Sequence, residues 1–253
     1  MRLDGKVAVV TGSTGGMGEG IARRLAAEGA AVVVSGRREA EGMRVAQSMR
    51  DAGSQAVFVR ADVASEADCT ALIRGAAERF GRLDILVNNA GITPASPLDR
   101  QTVAQWDEIF AINVRGAFVC CREAVPIMRR QGGGRIVNIG STVPFRASAD
   151  RLAYACSKGA LLTMTKVLAR GLVADRILVN SVLVGWVATP AEVELRNRLE
   201  GDGRAFLEEQ SRQAPLGRLE TVEDIAAGVA YLASDEAGHV TGCELNISGG
   251  LWV

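Results

Sequence analysis

The sequence predicts an α/β protein built on a doubly wound, parallel sheet of about seven strands with helices on both faces. Three observations carry that expectation. Short apolar, β-branched runs alternate with amphipathic segments from one end of the chain to the other. The runs are apolar at nearly every position, as strands covered on both faces must be. The first run leads straight into a glycine-rich turn that opens a helix.

In chain order, the strands are expected at KVAVVT (6–11), AVVVSG (31–36), AVFVR (56–60), DILVN (84–88), RIVNIG (135–140), RILVNSVLV (176–184) and CELNI (243–247). Amphipathic helices are expected near 17–28, 38–52, 66–80, 102–130, 152–172 and 222–234, each following a strand, as βαβ crossovers require. No linker, repeat or low-complexity stretch interrupts this rhythm, so residues 1–253 read as one domain. One segment departs from it. Residues 186–215 are polar and broken by Gly201 and Gly203, which suits a helical insertion acting as a mobile lid, or simply a solvated helix pair.

Composition excludes several functions. Lys+Arg and Asp+Glu both number 29, and no basic block appears, so nucleic acid is not an expected partner. The first apolar run is too short for a secretion signal, and nothing approaches the roughly 18 apolar residues of a membrane span, so a cytoplasmic location is expected. The 5 cysteines form no C-x-x-C pair and read as reduced, mostly buried thiols. His239 is the only histidine, which removes multi-histidine zinc chemistry, and no G-x-S-x-G elbow offers a hydrolase nucleophile. No metal site is expected, and His239 reads as a surface or helix-end residue.

TGSTGGMG (11–18) stands between the first strand and the first helix. Glycines there allow a tight turn and close approach of a pyrophosphate, while free N–H groups at the helix start supply donors. Gly12, Ser13, Thr14, Gly16, Met17 and Gly18 are therefore cofactor-binding candidates in a Rossmann-like site. An acidic residue at the end of the second strand would accept hydrogen bonds from a ribose 2′-OH and repel a 2′-phosphate. The sequence there is SGRRE, with Gly36 followed by Arg37 and Arg38. A guanidinium grips a phosphate, so NADP(H) is expected over NAD(H), with Arg37 as the contact. Asp62, after the third strand, could meet the adenine amino group or cap the helix beginning near Ser65.

Tyr154 and Lys158, scarce residue types in this chain, are separated by one helical turn and project from one face. A phenol with a pKa near ~10 is a poor acid–base group at neutral pH unless a neighbouring ammonium favours its anion. Ser141 closes its strand at the end where ligands bind in open parallel sheets. Taken with the glycine turn, Asp62-Val63, NNAG (88–91), Asn113 in FAINVRG and the C-terminal VTGCELNISGG, this set resembles the classical short-chain dehydrogenase/reductase family over essentially the whole chain.

The resemblance implies an NADP-dependent oxidoreductase passing a hydride between the nicotinamide and a ketone or secondary alcohol. Tyr154 is then the acid/base, Lys158 lowers its pKa and holds the nicotinamide ribose, and Ser141 binds the substrate oxygen. Asn113 positions a water leading to solvent; Val63, Asn89, Val187 and Thr189 join the cofactor contacts. A small carbonyl or alcohol substrate and a homotetramer built on the helices at 102–130 and 152–172 are also implied.

Two positions depart from the family's pattern: Val184 stands where a proline is common, and Ser248 where an aspartate is frequent. The substrate wall is expected from 142–151 and from the segment beginning at Trp186. Phe145 and Trp186 suit an apolar or ring-bearing substrate, whereas Arg146, Arg151 and Glu192 could read hydroxyl or acid groups. A 3-oxoacyl thioester reductase, an NAD-dependent sugar or polyol dehydrogenase and a non-catalytic NADP(H) sensor stay open as alternatives. The intact Asn-Ser-Tyr-Lys set argues against the sensor, which needs no proton donor.

Overall fold

The computed structural model describes residues 1–146 and 149–250. Its elements run β1 (Val7–Val10), α1 (Gly16–Ala27), β2 (Ala31–Gly36), α2 (Glu39–Asp51), β3 (Ala56–Arg60), α3 (Glu66–Phe80) and β4 (Ile85–Asn88). They continue with α4 (Val103–Phe110), α5 (Gly116–Arg130), β5 (Gly134–Ile139), α6 (Val143–Arg146), α7 (Leu152–Leu172) and β6 (Ile177–Val184). α8 (Pro190–Glu200), α9 (Gly203–Gln213), α10 (Val222–Ala233) and β7 (Glu244–Ile247) complete the order.

All strand pairings are parallel, in the order β3-β2-β1-β4-β5-β6-β7. The chain moves outward from β1 to β3 and then returns to place β4 beside β1, so the strand order reverses between β1 and β4. A crevice opens there, at the carboxyl ends of the strands.

The continuous apolar runs are explained by two cores, one on each face of the sheet. Ala8, Val10, Val32, Val34, Ile85, Val87, Val137, Ile139, Val182 and Val184 pack with Ile21 and Leu25 of α1, Val45 of α2 and Val229 of α10. The alternate residues Val9, Val33, Leu86, Ile136, Ile177 and Val179 pack with Leu72 and Ile73 of α3, Val119 of α5 and Leu172 of α7. Successive strand side chains point to opposite faces, so both faces of the sheet are covered. Each fully buried Leu or Ile contributes roughly 1.5–3 kcal/mol from apolar transfer.

The helix expected over 102–130 is present, with an interruption. Thr102 and Gln105 form a capping box at its start, and Ala111–Arg115 widens into a π-turn before α5. Asn113 sits within that turn. The 186–215 segment is a helix pair: Thr189 caps α8, Asp202 caps α9, and Gly201 (φ 89°) makes the left-handed turn between them. Trp186, Val193 and Phe206 pack there against Leu207, Ala214 and Leu219 in a small core of their own. No helix among the described residues is long and apolar enough to cross a membrane, and none of their His, Cys, Asp or Glu residues form a cluster that could hold a metal. Cys69, Cys120 and Cys121 are buried and Cys156 is exposed. His239 is exposed.

Candidate active site

A cavity of about 700 Å³ occupies the crevice, lined from Gly12 and Arg38 at one end to Tyr154, Thr189 and Pro190 at the other. Its walls are the β1–α1 turn, the carboxyl ends of the central strands, and the beginnings of α7 and α8.

The glycine end is a close-packed cradle. Gly12 has φ 65°, and a Cβ there would stand 2.9 Å from the Ala90 Cα. Asn89 ties the turn down, its Nδ2 donating to the Thr11 and Gly12 carbonyls at 2.9 and 3.2 Å. α1 begins at Gly15 with no side-chain cap, so its first N–H groups are left for a ligand's oxygens. Ser13, expected as a cofactor contact, is turned away from the cavity. It is fully buried, donates to the Val10 carbonyl at 2.6 Å and accepts from the Ser35 N–H at 3.0 Å, bracing the turn onto the sheet.

The two arginines after β2 divide. Arg38 Nε donates to Thr14 Oγ1 at 3.2 Å, and its Nη2 lies so close over Gly15 that a Cβ there would be 2.7 Å away. Arg37 lines the rim, 61% exposed, with its Nη1 3.8 Å from Asp62 Oδ2. Arg38 thus lies over the glycine turn while Arg37, expected as the phosphate contact, stands at the rim of the same cavity. The cap of α3 is Ser65, which accepts from the Asp68 N–H at 3.2 Å. Asp62 is not that cap; its Oδ1 accepts from Ala64 N–H at 3.0 Å, and both it and Val63 line the cavity. Missing Cβ atoms, uncapped N–H groups and a guanidinium over the turn together fit the phosphates of a dinucleotide.

At the opposite end, Ser141, Tyr154 and Lys158 converge. The Ser141 hydroxyl accepts from the Val143 N–H at 3.2 Å and lies near enough to the Tyr154 phenol to act on it. Lys158 lies one turn further along α7, its Nζ 5.8 Å from the Tyr154 ring centroid and donating to the Ile139 carbonyl at 2.7 Å. Burial pushes the phenol above its ordinary range, while the Ser141 hydrogen bond and the Arg151 charge pull it down and Glu192 pushes it up. Desolvation lowers the Lys158 ammonium's own pKa to about 8.

Asn113 is 1% exposed and makes three hydrogen bonds. Its Oδ1 accepts from the Ile92 N–H at 2.9 Å, and its Nδ2 donates to the Ile92 carbonyl and to Ser157 Oγ, both at 3.0 Å. Ser157 in turn donates to the Tyr154 carbonyl at 2.7 Å. The π-turn thereby locks the loop after β4 to the helix that carries the tyrosine.

Thr189 lines the cavity while its Oγ1 accepts from the Glu192 N–H at 3.3 Å, leaving its hydroxyl proton to donate. Val187 does not line the cavity; it is 8% exposed in the core and bridges to Glu220. Glu220 carried no sequence signal. Its buried carboxylate accepts from the Trp186 N–H at 2.6 Å and anchors the start of the helix pair. Burial pushes its carboxyl upward. Glu192 Oε1 accepts from Trp186 Nε1 at 2.7 Å and Arg196 Nε at 2.9 Å, and Arg196 lies over the Trp186 ring at 4.8 Å. Trp186 thus serves the helix-pair core, and Phe145 is 64% exposed.

Comparisons with known proteins agree with this architecture. A family model described as enoyl-(acyl carrier protein) reductase matches residues 12–252. The 3beta-hydroxysteroid dehydrogenase 1 of Eggerthella lenta is 39% identical, over 98% of this chain and 94% of its own. Gluconate 5-dehydrogenase from Burkholderia cenocepacia, solved in complex with NADP and tartrate, has a TM-score of 0.90 at 35% identity, covering 99% of this chain and 96% of that one. A single-residue variant of actinorhodin polyketide ketoreductase with NADPH gives 0.93 at 34% identity, covering 97% of each chain. The chain belongs to the short-chain dehydrogenase/reductase family of NAD(P)-dependent oxidoreductases acting on CH–OH groups.

Proposed function

We propose that the protein interconverts a ketone and a secondary alcohol with NADP(H) as its preferred cofactor and Tyr154 as the acid/base. The observation that carries this reading is the convergence of the Tyr154 phenol and Ser141 hydroxyl at one end of a cavity whose other end is the glycine cradle under Arg38. NADP(H), when bound, supplies or accepts the hydride. Gly12, Thr14, Gly16, Met17 and Gly18 would hold its pyrophosphate, Arg38 with Arg37 its 2′-phosphate, Asp62 and Val63 its adenine, Asn89 the adjoining turn, and Thr189 its carboxamide.

The chain's own residues then handle the proton. With its pKa raised by burial, the Tyr154 phenol is protonated at neutral pH and can donate to a carbonyl oxygen that gains negative charge. Ser141 donates to the same oxygen and stabilises that charge before the proton arrives. Lys158, cationic below about pH 8, holds the ribose beside the tyrosine. Asn113 is a positioning residue that fixes the loop after β4 and leads a water toward Lys158.

The α8–α9 pair, hinged at Trp186 and Glu220, serves as a lid on a single domain. The exposed Phe118 of α5 and Val167 of α7 support a tetramer built on those helices. Steady-state rates with NADPH and NADH over a panel of ketones and acyl thioesters, and with NADP+ and NAD+ over secondary alcohols and sugars, test the reading. Turnover with NADPH preferred is expected; NADH preferred throughout overturns the cofactor assignment, and no turnover of any member overturns the enzymatic one.

A further inference from the structure

We propose that the substrate carries a carboxylate, received by Arg151 at the start of α7, a short distance from the carbonyl or alcohol carbon that reacts at Tyr154. The inference rests on the oxidoreductase reading above and names its substrate class.

Arg151 is held between two cavity-lining residues. Its Nη1 donates to Thr93 Oγ1 at 3.0 Å, and its charge acts on the Tyr154 phenol one helical turn away. Its Nη2 is buried and has no hydrogen-bond partner among the described residues. A guanidinium nitrogen withdrawn from water without an acceptor is costly unless something else supplies one.

The helix itself sharpens the mismatch. α7 is 21 residues long, begins with no side-chain cap, and has no acidic residue in its first turn. Helix starts favour anions, yet here the cap position is an arginine. Glu192, the carboxylate that acts on the same phenol, already accepts from Trp186 and Arg196. Arg146 and Arg196 add positive charge on this side, since both Arg196 and Arg151 make the Arg146 cation less favourable. The unfilled Nη2 donor matches a small anion, and a carboxylate supplies such an acceptor.

The distance between Arg151 and Tyr154 along α7 sets the spacing. Residues three apart on a helix have Cβ atoms about 5–6 Å from each other, so the anion and the reacting oxygen belong to one small molecule separated by a short carbon spacer. A hydroxy acid or its oxo acid satisfies both ends at once.

The test uses the NADPH complex of the wild type, Arg151→Gln and Arg151→Lys, with matched pairs: acetoacetate, levulinate and 4-oxocyclohexanecarboxylate, each against its methyl ester. A charge-assisted hydrogen bond predicts an acid-over-ester preference in kcat/KM of about 10-fold or more in at least one pair. Arg151→Gln should collapse that ratio chiefly through KM, and Arg151→Lys should restore part of it. The ratio is the readout because an effect of Arg151 on the tyrosine, or on folding, lowers acid and ester together. Thermal shifts of the same complexes with cyclohexanecarboxylate and its methyl ester provide a measurement free of turnover. Esters turned over as well as acids in every pair overturns the proposal and leaves the oxidoreductase reading intact. A carboxylate-specific shift lost in Arg151→Gln, without turnover of any pair, supports the anion site and counts against the oxidoreductase reading. Neither a preference nor a carboxylate-specific shift overturns the anion site.

Discussion

α1 and α7 both begin at the cavity without a side-chain cap, but α1 opens on glycine and α7 on arginine. Side chains cap the starts of α3, α4, α8, α9 and α10, with Ser65, Thr102, Thr189, Asp202 and Thr221, whereas α2, with Arg38 at its cap position, has none. The contrast shows how one cavity is divided. At α1 the side chains are deleted, so that backbone N–H groups meet a ligand at close range, which suits binding without chemistry. At α7 the side chains carry the work: Arg151 at the cap, Tyr154 a turn later and Lys158 a turn after that, all along one helix face. On the proposed function the first end holds and the second reacts, which makes the two ends separable by mutation.

The largest effect is expected at the reacting end. Tyr154→Phe removes one oxygen and the proton it carries, and should lower kcat by about 10²–10⁴-fold, the usual range for losing a general acid. NADPH affinity, read by fluorescence titration, should stay near the wild-type value because the glycine cradle is untouched. Near-normal turnover in this variant would remove the acid/base role, and a parallel loss of cofactor affinity would blur the division between the ends.

Lys158 offers a test through pH. Its pKa in the folded chain is lowered to about 8 from an ordinary value of 10.5. Between those values the unfolded chain binds more protons than the folded one, so stability rises as pH climbs through that window and is lowest below it. Relative to Lys158→Met, cofactor-free wild type should gain on the order of 3 kcal/mol in denaturant melts from pH 7 to pH 10.5. A flat difference across that range would mean that the lysine is solvated.

How much of this division was legible beforehand depends on where periodicity stops. The seven strands match the apolar runs to within about a residue at each end, and α3 and α7 match their amphipathic segments, because burial on two faces dictates both patterns. Past a strand's end no period says which side a residue faces. That is why Arg38, not Arg37, lies on the glycine turn, why Ser13 braces the sheet, and why Val187 enters the core. The π-turn at Ala111–Arg115 was equally silent, since its sequence continues an ordinary helical pattern. Glu220 has no pattern at all; only the fold brings it under Trp186. Tyr154, Ser141 and Asn113 were legible because their chemistry and order along the chain, and not periodicity, single them out.

The holding end is tested by comparing Arg38→Ala with Arg37→Ala. A charge-assisted hydrogen bond to phosphate corresponds to a KM change of about 10-fold or more, and that loss is expected for NADPH in Arg38→Ala with kcat little changed. Arg37, 61% exposed, should cost less. KM for NADH should change little in either variant, since its ribose lacks the phosphate. The reverse ranking would return the phosphate to Arg37.

The smallest effect should come from the α8–α9 pair, the proposed lid, which belongs to the reacting end. Glu192 ties the Trp186 indole and Arg196 together, so Glu192→Gln keeps the shape while exchanging one charged acceptor for a neutral amide. Weakening those hydrogen bonds corresponds to a rise in substrate KM of about 2–10-fold. The same change removes the carboxylate that pushes the Tyr154 pKa upward, so the alkaline limb of the kcat profile should move to lower pH. A shift of KM for NADPH instead would tie α8 to the holding end and break the separation drawn from α1 and α7. A KM effect confined to substrate, accompanied by the displaced alkaline limb, would place lid and tyrosine in one electrostatic unit.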